Sequence, residues 1–250
     1  MERSNHGHEL ERAPGVDRRR SSRRLASIVV DELAHQIIGG ALPPGSLVPT
    51  EDALGRQFGF SRTVMREALK LLEERGLIRV EQGRGTTVQP RDSWNLLDRE
   101  VLRIALEYDE DAVLLDDLIS IRRLLEADMA RAAAGRLTDE DLAALDANVQ
   151  RMAESIDDYA QFQALDLAFH RTLMKASTSE IGRTIVATIH DYAGQSRRLN
   201  APGDPLSLEH TLEEHRAIYA ALAACDGDAA ARKVSEHIEH AWAERRGLLG

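Results

Sequence analysis

The order of short elements between residues 25 and 88 restricts the fold of this chain more than any other feature of its sequence. Three amphipathic helical segments are followed by residues 77–80 and 86–88, which read as short strands around a Gly-rich turn. Thr50 and Ser61 stand where the second and third helices begin, and hydroxyl side chains are favoured N-caps. This order predicts a winged helix-turn-helix.

From Trp94 onward the sequence shows helical periodicity alone, broken most clearly by the Pro- and Gly-containing loop at residues 200–205. Short connections between amphipathic helices imply an antiparallel bundle. We therefore predict a mainly α protein with an N-terminal winged helix-turn-helix and a C-terminal antiparallel bundle of six or seven helices. The predicted helices span residues 96–107, 111–134, 138–154, 157–176, 180–198, 206–224 and 227–247.

Four regions follow from these patterns. Residues 1–22 lack apolar periodicity and are rich in Arg, which predicts a disordered basic arm. Residues 23–90 form the predicted winged helix-turn-helix domain and residues 91–110 a linker helix. Residues 111–250 form an all-helical domain.

Composition excludes several classes of protein. Aromatic residues make up 4% of the 250 residues, which disfavours a β-sandwich or barrel. No apolar run approaches the roughly 18 residues that a membrane span needs. The lone Cys225 excludes an intramolecular disulfide and fits a reducing compartment. The sequence predicts a soluble cytoplasmic protein without a membrane partner.

The net charge of −10 is divided unevenly. Residues 1–90 hold 14 Lys and Arg against 12 Asp and Glu, a balance of +2, whereas residues 91–250 hold 18 against 30, a balance of −12. This asymmetry indicates that the N-terminal part meets a polyanion.

A stripe of cations marks the second helix of the helix-turn-helix. Arg62, Arg66 and Lys70 are spaced i, i+4, i+8 and so share one face. The N-terminal residues of this helix enter the major groove, where Arg reads guanine O6 and N7. Ser61 and Thr63 can donate to phosphate oxygens near the helix start.

Gly83 and Arg84 occupy the tip of the predicted wing, which can enter the adjacent minor groove. Such a row of cations usually forms an ordinary solvent-exposed helix surface. DNA binding is favoured here only because the row lies within a complete helix-turn-helix followed by a wing. One recognition helix reads few base pairs, so we expect a homodimer on a pseudo-palindromic double-stranded DNA operator.

Residues 25–88 resemble the DNA-binding domain of the GntR family of bacterial transcription regulators. The resemblance implies that Arg62 and Arg66 contact DNA, with Ser61, Thr63 and Gly83 beside them. A family member carries Arg where this chain has Asp52, so that contact is lost or replaced by Arg56. The matching runs are Gly40-x-Leu42-Pro43-x-Gly45-x-x-Val48-x-Thr50-Glu51, Gly59-Phe60-Ser61-Arg62-x-x-Met65-Arg66-Glu67-Ala68-Leu69, Leu72-x-x-x-Gly76-Leu77-Ile78 and Gly83-x-Gly85-x-x-Val88.

Asp166 and His170 are spaced i, i+4 on one predicted helix, so they point the same way and make half of a divalent metal site. His215 and His237 lie on or near the apolar faces of two later helices, and all four can converge in a bundle core. Spacing alone leaves two interpretations open, a metal site and ordinary hydrogen-bonded buried histidines.

Residues 111–247 resemble the FCD effector domain of the FadR subfamily of GntR regulators. This resemblance implies that Asp166, His170, His215 and His237 hold one divalent ion, Zn²⁺ first with Mn²⁺ or Ni²⁺ as alternatives, and that the ion takes the carboxylate of a small organic acid. The matching runs are Ile121-Arg122-x-x-Leu125-Glu126, Asp166-x-x-Phe169-His170, Glu214-His215-x-x-Ile218 and His237-Ile238.

The resemblance further implies that Arg122 pairs with the carboxylate of the effector, a task that suits a guanidinium fork. A structural salt bridge with Glu126 is the alternative role for Arg122. His190 is a second candidate for the effector pocket, because its helix lies between two helices that bear ligands.

The segment from Trp94 to Leu102 resembles the interdomain segment of regulators that answer to sugar acids, which makes a sugar acid the expected effector. Trp94 and Leu97 are otherwise explained as docking residues of the linker helix. The sequence thus predicts a ligand-responsive transcription repressor and no enzyme. Two alternatives are a metal-free dimerisation bundle and a metal-dependent hydrolase; against the hydrolase, no general acid or base accompanies the ligands.

Overall fold

The computed structural model describes residues 14–81, 83–195 and 205–247. This part of the chain contains ten α-helices and one two-stranded sheet, which confirms the predicted fold class. The chain divides into two compact units, Met1–Tyr108 and Asp109–Gly250. Of the helices described, none combines the length and the hydropathy needed to cross a lipid bilayer.

The first unit is a winged helix-turn-helix with one further helix. Thr50 and Ser61 begin the two inner helices by accepting the N–H groups of Ala53 and Val64, respectively. The strands pair antiparallel with Ile78 opposite Val88. The elements are α1 (Pro14–Ile38), α2 (Glu51–Phe58), α3 (Arg62–Glu74), β1 (Ile78–Glu81), β2 (Gly85–Val88) and α4 (Arg99–Glu107).

Helix α1 begins earlier than the sequence predicts. It starts at Pro14, so residues 14–22, which were expected in a disordered arm, are helical, while residues 1–13 lie outside the described residues. Proline is favoured at the first position of a helix, and Arg is a good helix former. The Ser22 hydroxyl also donates to Glu67 of α3 at 3.0 Å.

The buried face of α1 is centred on Val30 and Leu33, and it packs on α3. Ile28 of the same helix is 50% exposed. It lies two residues before Val30, about 200° around the helix, and therefore points away from the core.

Helix α4 occupies 9 residues within the predicted linker region 91–110 and packs on α1. Its residue Arg103 donates to Asp31 of α1 at 2.7 Å. Trp94 packs against the core of the first unit and donates its indole N–H to the Gln89 carbonyl at 3.2 Å. Leu97 is 95% exposed, so the prediction that it docks within the chain is wrong for the described residues. It lies in the turn before α4, beyond the buried face of that helix.

The second unit is a bundle, with six helices in the described residues. Thr138 begins α6 with a capping box and Asp158 begins α7 by accepting the N–H of Gln161. Phe162, Phe169 and Leu173 fill the core. The helices are α5 (Val113–Ala133), α6 (Asp139–Glu154), α7 (Tyr159–Ala176), α8 (Glu180–Gln195), α9 (Pro205–Ala223) and α10 (Gly227–Gly247).

Candidate nucleic-acid interface and candidate metal centre

Helix α3 turns its apolar face inward and its cations outward. Val64, Ala68 and Leu72 are buried. The side chains of Arg62, Arg66 and Lys70 are 75%, 76% and 74% exposed, respectively. The structure therefore brings the three predicted cations together on the solvent face of α3. Ser61 and Thr63 are exposed at the start of the same helix.

Two of these cations are paired with carboxylates at the start of α2. Arg62 donates to Asp52 at 3.0 Å, and Arg66 donates twice to Glu51, at 3.3 and 3.2 Å. Asp52, the position that departs from the family pattern, thus holds the guanidinium of Arg62. Arg56, the expected replacement, is exposed on α2.

A groove of about 580 Å³ lies between α3 and the hairpin. Its lining includes the cations Arg66, Lys70 and Arg84 and the apolar Leu69, together with the carboxylates Glu51 and Glu73. Gly83 lies at the hairpin tip with φ +81°, a backbone conformation that favours glycine. The tip thus places the 83% exposed side chain of Arg84 at the same groove.

In the second unit, Asp166 and His170 of α7, His215 of α9 and His237 of α10 meet in the bundle core. One donor atom from each lies within 4.8 Å of all the others. Asp166 Oδ1 is 3.9, 3.2 and 3.8 Å from the Nε2 atoms of His170, His215 and His237, respectively. The Nε2 atoms of His170 and His237 are 3.3 Å apart. The structure therefore brings all four predicted ligands together.

The outer nitrogens of these histidines face acceptors. His215 Nδ1 lies 2.9 Å from the Thr211 carbonyl, and His237 Nδ1 lies 2.8 Å from Glu214 Oε2. Because a carbonyl and a carboxylate only accept, both Nδ1 atoms carry a proton, and in the neutral imidazole Nε2 then presents a lone pair. The buried His215 Nε2 has no hydrogen-bond partner among the described residues.

His237 is neutral in this setting. Burial, reinforced by the neighbouring His215, lowers its pKa to about 4, despite the opposing effect of Glu214. The carboxylate of Glu214 is ionised, since hydrogen bonds from His237 and His240 outweigh burial and lower its pKa to about 2. A neutral imidazole backed by a carboxylate is the form in which histidine binds metal.

The carboxylate of Glu126 on α5 contacts three side chains: His170, Arg122 and His190. It is fully buried, and its Oε2 lies 2.6 Å from His170 Nδ1. Its Oε1 lies 2.6 Å from Arg122 Nε and 3.2 Å from His190 Nε2. The positive charge of Arg122, aided by His170, holds the pKa of Glu126 well below its usual range, although burial acts to raise it.

Arg122 thus forms the salt bridge that the sequence offered as its alternative role, and His190 meets the same carboxylate. Sequence reasoning missed Glu126 and Glu214 as partners of the histidines. Glu214 directly precedes His215, and Glu126 ends the run that begins at Ile121. The sequence positions of Glu126 and Glu214 do not indicate which histidine each carboxylate contacts, because those contacts depend on how the helices pack.

Two family models match the chain. One, described as bacterial regulatory proteins of the gntR family, covers residues 25–88. The other is the FCD domain, over residues 117–240.

This chain belongs to the GntR family. It is 33% identical to the galactonate operon transcriptional repressor of Escherichia coli over 81% of this chain and 88% of the relative. It is 27% identical to the transcriptional repressor NanR of Klebsiella aerogenes over 97% of this chain and 91% of the relative. A solved structure titled for Lar, which controls expression of the Listeria monocytogenes agr system, superposes with a TM-score of 0.53 at 20% identity, over 90% of this chain and 97% of that one.

As a GntR-family protein with an FCD domain, the chain is a DNA-binding transcription regulator. This confirms the functional class that the sequence predicts. The matching domains and relatives are those of regulators and not of enzymes, so the alternative of a metal-dependent hydrolase does not hold.

Proposed function

We propose that this regulator is a repressor whose second unit binds one divalent metal ion and a small carboxylic acid. The observation that carries the proposal is the convergence of lone pairs in the core. Three histidine Nε2 atoms and one carboxylate oxygen, from three helices, lie within 4.8 Å of one another.

A bound cation accounts for this arrangement. In the neutral tautomer the Nε2 lone pair of His215 faces Asp166 Oδ1 at 3.2 Å, and a cation near both atoms would stabilise that contact. The four separations given above, 3.2–3.9 Å, are compatible with donor atoms that share one ion, since ligand atoms about 2.1 Å from a metal lie roughly 3–4 Å from one another. Three imidazoles with one carboxylate suit Zn²⁺, with Ni²⁺ or Mn²⁺ as alternatives.

Arg122 and His190 are the proposed effector contacts. Only the Nε of Arg122 is engaged by Glu126 within hydrogen-bond distance, and a guanidinium has five donors. Its terminal nitrogens can therefore receive an acid while Glu126 holds the side chain in place. The bound ion would supply a second, Lewis-acidic contact to the acid. The name of the galactonate operon repressor supports a sugar acid as the effector class.

The proposed DNA-binding surface is the exposed face of α3 together with the wing. It comprises Ser61, Arg62, Thr63, Arg66, Lys70, Gly83 and Arg84. A homodimer would present two such surfaces to a pseudo-palindromic operator in the cytoplasm. Release by the effector requires that the acid bind more weakly to the DNA-bound form.

The metal site is tested by melting chelator-treated protein with and without added Zn²⁺, Ni²⁺ or Mn²⁺. A metal at 100 times its dissociation constant adds about 2.7 kcal/mol of stability. We expect a clear rise in Tm for the unaltered chain and none for Asp166→Ala or His215→Ala. Met174→Ala, a buried truncation on α7, is the matched control and should lower the Tm while keeping the metal response. Full metal responses in both ligand variants would overturn the site.

A metal-free dimerisation bundle is the second candidate. The observation that favours it is the exposure of branched apolar side chains on α5 and α8, which pack on each other: Ile121, Leu124, Ile181 and Ile185 are 45%, 64%, 77% and 39% exposed. Under this function no metal would shift the Tm, whereas Leu124→Lys and Ile181→Lys would convert a dimer to monomers in analytical ultracentrifugation.

A further inference from the structure

Glu214 has a second carboxylate oxygen, Oε1, that does not contact the buried histidines. Its Oε2 accepts from His237, whereas its Oε1 lies 2.6 Å from His240 Nδ1 and 3.3 Å from His210 Nε2. His210 precedes Glu214 by one turn of α9, and His240 follows His237 by one turn of α10. The two outer imidazole rings have centroids 5.8 Å apart.

These three groups differ from an ordinary surface ion pair. Their donor atoms come from two packed helices and lie within 4.8 Å of one another. Glu214 is largely buried, with 14% of its side chain exposed, and is fixed by His237. The side chains of His210 and His240 are 56% and 54% exposed, so an ion can enter from solvent and keep water ligands.

We propose that His210, Glu214 and His240 form a second, solvent-facing site for one divalent transition-metal ion. Two imidazoles and one carboxylate select Zn²⁺, Ni²⁺ or Cu²⁺ over Mg²⁺ and Ca²⁺, which prefer all-oxygen ligands. The ion takes the place of the proton between His240 Nδ1 and Glu214 Oε1, and Oε2 keeps its contact with His237. The site rests on its own three residues and does not require that the buried centre bind metal.

The test counts Zn²⁺ ions bound to the full-length, tag-free chain by equilibrium dialysis and mass spectrometry, in Mg²⁺-containing buffer. We expect the outer site to add one ion per unaltered chain to whatever the buried centre holds, and to bind it at least tenfold more weakly than that centre binds its own. The double variant His210→Gln/His240→Gln should bind one ion fewer with the same Tm in the absence of metal. Asp166→Asn should lose the tight ion and keep the weaker one, which separates this site from the proposed function.

His35→Gln is the matched control. His35 also faces two carboxylates, Asp31 at 3.9 Å and Glu107 at 3.8 Å, but it belongs to the first unit and lies outside the groups of converging donors. This variant should bind as many ions as the unaltered chain. The proposal is overturned if His210→Gln/His240→Gln binds the unaltered number of ions, or if it loses both ions while remaining folded, since the outer residues would then belong to the buried centre.

Discussion

At the scale of single residues, hydrogen bonds hold the Nδ1 protons of His215 and His237 in the metal-free protein. The main-chain carbonyl of Thr211 holds the Nδ1 proton of His215, one turn later on the same helix. The carboxylate of Glu214 does the same for His237. Because the acceptors choose the tautomer, a cation entering the core meets lone pairs already directed at it. No tautomer exchange has to precede binding at these two ligands.

The lowered pKa of His237 makes the metal-free protein sensitive to acid. The unfolded histidine has a pKa near 6.5 and the folded one about 4, so between these values only the unfolded state binds the proton. The stabilisation is therefore fully present above about pH 6.5 and is lost as the pH falls toward 4. The full shift corresponds to about 3 kcal/mol. Urea unfolding of chelator-treated protein across this range measures it.

The control for the acid response is His237→Gln, which is neutral at every pH. This variant loses stability at all pH values, but its free energy of unfolding should change less between pH 6.5 and 4 than that of the unaltered chain. Equal pH dependence in the two proteins would show that His237 does not titrate as described.

Arg62→Ala and Arg66→Ala should each weaken operator binding at least tenfold, because each removes a guanidinium from the proposed DNA-binding surface, where Arg would contact base edges or phosphate. The exposure of both side chains means that the fold should remain intact. Arg216→Ala is the control: this exposed arginine of the second unit likewise pairs with a carboxylate, Glu213. Unchanged affinity of the α3 variants in a gel-shift titration would remove α3 as the recognition helix.

At the scale of elements, two glycines end the helices of the helix-turn-helix with the same backbone and different surroundings. Gly59 follows α2 with φ +71°, and Gly76 follows α3 with φ +72°. A Cβ on Gly59 would meet nothing within 4 Å, whereas a Cβ on Gly76 would lie 2.0 Å from the Ser93 carbonyl oxygen. Substituting Gly59 therefore tests backbone strain alone, whereas substituting Gly76 tests the same strain together with a steric clash.

Gly59→Ala should cost about 1 kcal/mol, the usual penalty for a left-handed residue with a side chain. Gly76→Ala should cost at least about 2 kcal/mol more, because the Ser93 backbone must move. Urea unfolding in a Trp242→Phe background, where Trp94 alone reports fluorescence, measures both. Equal losses in the free energy of unfolding would mean that the backbone around Ser93 moves away from a Cβ at position 76 without a measurable penalty.

The positions of helices were predictable because capping residues near their ends mark where a helix begins. Thr138 with Asp141 forms a capping box, and the predicted helix at 138–154 matches α6. The helix predicted at 227–247 matches α10. Asp166 and His170 were predictable as neighbours for a related reason, because i, i+4 spacing places two residues on one face of any helix. The assignment of the complete set of four as metal ligands came from the resemblance to the FCD domain. The expected loop at residues 200–205, apart from Pro205, lies outside the described residues.

Partners across helices were not predictable, because they depend on how each helix is rotated in the bundle. Glu126 faces His170 from 44 positions away along the chain, a relation that no period in the sequence encodes. His210 and His240 are exposed, and their convergence on Glu214 appears only once α9 and α10 pack. For residues 14–22 local composition was misleading, because their polar residues suggested disorder, whereas the chain is helical there.

At the scale of the whole molecule, the two units carry opposite charge balances, and the first is expected to meet DNA. Raising the salt concentration from 50 to 200 mM should lower operator affinity at least about tenfold, because phosphate contacts release condensed counterions. Fluorescence anisotropy with a labelled operator measures the slope. The Arg62→Ala/Arg66→Ala double variant should show a smaller slope, and a flat response of the unaltered chain would argue against phosphate contacts.

The carboxylates of Asp52 and Glu51 also bear on how such a protein searches a genome. In the proposed interface, Arg62 and Arg66 must leave these carboxylates on random DNA and at the operator alike, and the displaced carboxylates would repel the phosphate backbone at either site. Only at the operator would the guanidinium groups gain contacts to base edges in return. The ion pairs would therefore shorten residence on random DNA, which favours many brief visits along the chromosome.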